Sequence, residues 1–238
     1  MMNHTPVTDQ MQAQVDAWEA SQDRRAIFLT CYHMMTCNML NALEAGEFHD
    51  APWVGNLLVR FAEYYFEALE QYTQDPQRAP VVWRAAFDAA QRSDLHVIQH
   101  LLLGVNAHIC YDLVFTLGEM LPDWMQLDKV QRNNRYQDHC HVNEIIYRTL
   151  DAVQDEVVAR HSPWMRMVDL LFGRLDEKLL HQLIVRWREQ VWASSLGLVD
   201  LHDGITPQAI QLQVEAEALR RAEAIMGARG LAGLGELL

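Results

Sequence analysis

The segment HVIQHLLLGVNAHICYDL, residues 96–113, decides the fold. It is apolar over most of its length, and its few polar residues recur at helical spacing. A helix that is hydrophobic nearly all round must be covered by neighbours on every side. The segment therefore predicts a central buried helix, with the rest of the chain wrapped around it. His96 and His100 stand four residues apart in it, as do His108 and Asp112. Each pair shares one helical face, about 6 Å apart along the axis. His100 and His108 are two turns apart, roughly 12 Å of rise, so one ion cannot take both from a straight helix. Gly104 lies between them, where it marks either a kink or the close approach of another helix or a ligand.

Working outward, helical patterning continues. TDQMQAQVDAWEASQDRRAIFLTCYHMMTCNMLNALEAGEF reads as one helix from a Thr8/Asp9 cap to Gly46, with Trp18, Ile27, Phe28, Cys31, Tyr32 and Met35 on a buried stripe. Asp50 and Pro52 suit the cap and first turn of a second helix, which ends before DPQRAP. VVWRAAFDAAQR forms a third, and Ser93-Asp94 precedes the central helix, which runs to about Met120. A long helix follows over roughly Arg132–Arg160, then two more on either side of Gly173, then an amphipathic one from Thr206. Residues 229–238 read as a loose tail, and no alternating strand pattern occurs. The expectation is an all-α, single-domain bundle of seven to eight helices spanning residues 1–238.

Composition bounds the partners. With 19 Lys and Arg against 32 Asp and Glu, the net charge is −13, and no basic cluster offsets it. Nucleic acid and anionic membranes are therefore not expected partners. The polar first 25 residues lack a signal-peptide core, and no unbroken apolar run reaches about 18 residues. Cys31, Cys37, Cys110 and Cys140 lack CxxC spacing and read as reduced thiols. A cytoplasmic, acidic protein is expected.

The segment QHLLLGVNAHICYDL resembles the central signature of the bacterial and fungal domain-of-unknown-function family numbered 5995, in its Gly, Asn-Ala-His and following Asp-Leu. FLTCYHMMT with GEFHDAPW, VVWRAAFDAA, DHCHVNEII and LFGRLDEKLLHQLIVRWREQVWASS resemble further segments of that family, so the likeness covers roughly residues 20–200. The resemblance implies that Gln99, His100, Gly104, Asn106, His108 and Asp112 belong to the family pattern. It implies no activity. His96 is less typical of it, which favours His108–Asp112 over His96–His100.

An imidazole and a carboxylate one turn apart suit zinc or iron. The first expectation is a metal-dependent hydrolase or oxygenase acting on a small, largely apolar molecule. His100, His108 and Asp112 are its candidate ligands to a divalent transition metal. His100, Asn106 and Asp138 are its candidates for acid–base work or positioning. The alternative is a metal-free His/Asp acid–base cyclase or isomerase, or a small-molecule-binding protein. In a third reading the polar stripe only specifies helix packing. Asp138 is otherwise an N-cap and His141 a surface residue. Arg188 reads as the partner of Asp176 in a structural ion pair, and Tyr65, Trp83 and Phe87 as core or pocket wall.

Overall fold

A computed structural model of the chain describes residues 5–154, 177–200 and 206–228. Those residues form eight helices: α1 (Thr5–Ala20), α2 (Arg25–Glu44), α3 (Ala51–Gln74), α4 (Val81–Ala90), α5 (Val97–Met120), α6 (Lys129–Gln154), α7 (Glu177–Val199) and α8 (Pro207–Gly227). There is no strand among them. The all-α bundle follows from the sequence pattern, since every long apolar segment repeats at helical rather than alternating spacing. The expected tail, the helix before Gly173, and Asp176 lie outside the described residues.

α5 is the hub, packing against α2, α3, α4, α7 and α8. By length and mean hydropathy it could cross a bilayer, and 78% of its most apolar window is buried inside the fold. Leu101, Leu102, Leu103, Ala107, Leu113, Val114 and Leu117 face core on different sides of it. Covering such a helix on all sides removes its apolar surface from water, at about 25 cal/mol per Å².

The long N-terminal helix expected from Thr8 to Gly46 is two helices. The chain turns at Ser21–Arg24, where Gln22 adopts φ +56°. Arg25 grips Asp23 through its guanidinium and its backbone N–H, and this turn folds α1 back onto α2. No Gly or Pro marks the break. The start of α3 is as expected: Asp50 accepts from the Trp53 N–H, with Pro52 in the first turn.

α5 is not a uniform α-helix. Residues Asn106–Asp112 form a π-helical segment, and the Leu113 N–H reaches back to the His108 carbonyl. Such widened turns are rare and often stand at functional sites. Gly104 permits a close approach rather than a kink. A β-carbon there would lie 2.4 Å from Cγ of Phe28 on α2.

Candidate functional site

The π segment sets His108 against Asp112. Nδ1 of His108 and Oδ2 of Asp112 are 3.0 Å apart, and the indole N–H of Trp83 on α4 donates to the same oxygen at 2.8 Å. Both residues are almost fully buried, at 2% and 1% exposure. The imidazole lies on the ring of Phe61 from α3, with centroids 3.5 Å apart and planes 9° apart. Tyr32 meets it edge-on at 4.3 Å. This aromatic box fixes the ring while Asp112 fixes its rotation. It leaves Nε2 of His108 buried and without a hydrogen-bond partner among the described residues.

His108 stands in the wall of a cavity of about 170 Å³. The lining is almost wholly apolar and comes from α2, α3, α5, α6 and α7. Phe28, Tyr32, Met39, Leu57, Phe61 and Ile184 are among its walls. Its polar contributors are few: His108, Thr36, Asp138, His139, Thr149 and Arg188. An apolar cavity with a few convergent polar groups is the usual form of a small-molecule site.

Burial governs the charges. It pushes the Asp112 carboxyl well above the usual carboxylate range, against the opposing pull of the Trp83 hydrogen bond. It also holds the His108 imidazole well below its ordinary pKa. Low polarity disfavours carboxylate and imidazolium alike.

The other sequence candidates divide. His100 lines a separate small cavity with Arg24, Arg25, Trp83 and Gly104, and burial lowers its pKa to about 4. Phe28, seated over Gly104, belongs to the walls of both cavities. Among the described residues, no group of three or more His, Cys, Asp or Glu side chains is placed to hold a metal ion. His100, His108 and Asp112 thus do not converge as a ligand set. Two turns of helix separate His100 from His108, and the two histidines line different cavities.

Asn106 and Gln99 face α8 instead of the cavity. Asn106 donates from Nδ2 to the Ala218 carbonyl at 2.8 Å. Gln99 accepts from the His96 N–H and donates to the Ile225 carbonyl at 2.7 Å. Both tie the central helix to the last one.

Asp138 lies in the cavity wall, but it is not an N-cap. α6 begins nine residues earlier, at Lys129, where Asp128 and Gln131 exchange backbone bonds. Asp138 instead accepts from the backbone N–H groups of His49 and Asp50, both at 2.8 Å, and so anchors the turn that opens α3. His141 sits at the surface between Glu47 and Glu144. Cys110 is a packed thiol whose pKa burial raises to about 12.

Sequence reading did not find the Trp83 bond, the π segment or the Phe61 stack, which depend on contacts between helices. It also did not find the cluster around Arg188. There Nε donates to Oδ1 of Asn143 at 2.7 Å, and Nη2 donates to the His139 carbonyl at 2.7 Å. An apolar, aromatic setting for an Arg was the available signal, and it pointed to Asp176.

The model of a family described as "Family of unknown function (DUF5995)" matches residues 5–228. No curated protein and no solved structure matches the chain.

Proposed function

The chain belongs to that family of unknown function, and from its geometry we propose that it binds a small, largely apolar molecule in the cavity of the bundle. His108 acts on an oxygen-bearing group of that molecule by acid–base chemistry. One observation carries this reading: a buried imidazole in the cavity wall, oriented by Asp112, whose Nε2 has no partner among the described residues. An unmet buried polar group costs about 1–3 kcal/mol, and a carbonyl or hydroxyl oxygen of a ligand would remove that cost.

In this proposal the pair is neutral, with the shared proton between Oδ2 and Nδ1 and the remaining N–H on Nε2, as the directions of the two shifts favour. Nε2–H donates to the ligand oxygen and can pass its proton there, while Nδ1 takes up the proton of Asp112. The pair is left as imidazole and carboxylate, and the reverse transfer restores it. Moving one proton at a time within an apolar enclosure suits an isomerisation or cyclisation of a carbonyl compound or alcohol. Trp83 can bond Asp112 in both states and favours the carboxylate that the transfer leaves behind.

The test is uptake of a neutral naphthylamine fluorophore, competed with hydrocarbons, ketones and alcohols of matched size. Wild type is expected to bind the fluorophore and to prefer oxygenated competitors. His108→Phe, which retains a ring to stack on Phe61, is expected to keep the uptake and lose the preference. A wild type that takes up no fluorophore, or that ranks ketone and hydrocarbon alike, overturns the reading.

A second reading rests on the same nitrogen. A carboxylate bonded to Nδ1 is also how histidine ligands to metals are oriented, and Nε2 would then bind zinc or iron. That reading needs further donors that the described residues do not place beside Nε2. Elemental analysis of untagged protein decides it: stoichiometric metal, lost in His108→Phe, would favour this reading over the metal-free one.

A further inference from the structure

Arg188, on α7, is a charged residue of the cavity wall that the His108–Asp112 pair does not use. It is buried, at 5% exposure. Its three bonds run to Oδ1 of Asn143, the carbonyl of His139 and Nδ1 of His139, the last at 3.2 Å. His139 in turn donates from Nε2 to the Arg188 carbonyl at 3.2 Å, so its ring is neutral with the proton on that nitrogen. All of these acceptors are uncharged. They hold the guanidinium against α6 without neutralising it.

Among the described residues no carboxylate forms an ion pair with Arg188, and Nη1 bonds to none of them. The carboxylate in the same wall, Asp138, has both oxygens engaged by the backbone of His49 and Asp50. Burial lowers the Arg188 pKa to about 10, which leaves the side chain charged at neutral pH. Glu189, the next residue on α7, acts on it without a direct bond. A buried charge with no paired carboxylate among the described residues is costly, and a ligand that supplies the opposite charge would offset that cost. With Nε and Nη2 engaged, Nη1 keeps its two N–H donors for a carboxylate oxygen, a charge-assisted bond.

We propose that the ligand of this cavity is a monocarboxylate with an apolar body, and that Arg188 binds its carboxylate. The proposal rests on the reading of the cavity as a small-molecule site and names the class of molecule it takes. Met35, Met39, Leu57, Leu101 and Ile146 supply the surface for the body. His108 stands in the same wall, available to a second oxygen-bearing group on that molecule.

Calorimetric titration of the full chain with octanoate, decanoate and dodecanoate, beside the alcohols of equal chain length, tests this. Wild type is expected to bind the carboxylates more tightly than the alcohols by roughly tenfold or more, the usual worth of a buried charged hydrogen bond. Arg188→Met is expected to bind both classes alike, and Arg188→Lys to keep part of the preference. Equal affinity for the two classes in wild type, or a preference that survives in Arg188→Met, overturns the assignment of Arg188 and leaves the cavity reading standing. Failure of wild type to bind either class overturns both. The wild-type comparison decides the matter even where Arg188→Met does not fold.

Discussion

The Phe28 ring occupies the space that a side chain at Gly104 would need, with its Cγ 2.4 Å and its Cβ 2.7 Å from the position of a β-carbon there. The ring is held by Tyr32, Trp83 and His108, each with centroids within 5.8 Å. It therefore cannot swing aside without disturbing the aromatic box. Gly104→Ala would gain up to about 1 kcal/mol of helix propensity, but the overlap outweighs it. The expected outcome is a net loss of about 1–3 kcal/mol and a melting temperature lower by several degrees. A variant that melts at or above the wild-type temperature would show that α2 and α5 are not in this contact.

Asn106 serves the contact of α5 with α8, not the cavity. Asn106→Ala removes the bond to the Ala218 carbonyl and should cost about 0.5–1.5 kcal/mol in chemical denaturation. Affinity for cavity ligands is expected to stay at the wild-type value. Weakened ligand binding in a folded Asn106→Ala protein would give this residue a part in the site.

These two residues also mark what can be read without coordinates. The helices were legible because burial on one face repeats every three to four residues, and Asp50-Pro52 announced the start of α3 by local chemistry alone. The turn at Gln22 was not, since its left-handed backbone is imposed by α1 folding back and by the Asp23–Arg25 grip. His108 and Asp112 were legible as partners because four residues along one helix bring them together. Their third partner, Trp83, is 29 residues away and belongs to another helix, as does Phe61. The Asp138 bonds to His49 and Asp50 were hidden for the same reason. Spacing within one helix is written in the sequence, whereas the meeting of faces from different helices is settled by packing.

The cavity itself can be closed. Val142 is half-buried on α6 and lines it, so Val142→Phe would place a ring in the void. Filling an existing space commonly leaves stability unchanged or raises it by about 0.5–2 kcal/mol. The expected result is a melting temperature at or above wild type together with lost uptake of the naphthylamine fluorophore. Undiminished uptake would mean that the fluorophore binds elsewhere.

The last prediction concerns the charge state on which the proposed acid–base step depends. Asp112 holds its proton in the folded chain well above the ordinary carboxyl pKa of 3.8, whereas in the unfolded chain it gives that proton up near 3.8. From about pH 4 upward the native state therefore binds more protons than the unfolded state, and stability falls as pH rises, until the folded pKa is passed. His108 works in the opposite sense: its folded pKa lies below 6.5, so it costs stability as pH falls through that value. Comparing wild type with Asp112→Asn isolates the titration of the carboxyl, because both proteins keep the histidine and the amide does not titrate. The atom that replaces Oδ2 can either donate to Nδ1 or accept from Trp83, so the change of the difference with pH, not its size at one pH, reports the carboxyl. From about pH 5 up to the folded pKa of Asp112, wild type is expected to lose stability relative to Asp112→Asn, by at most about 1.4 kcal/mol for each pH unit. Denaturant midpoints of the two proteins across that range measure it. A constant difference would mean that Asp112 titrates as an ordinary carboxylate. A difference that grows in favour of wild type would make it a stabilised anion, and Nε2 of His108 would then face the cavity as a base from the outset instead of as a donor.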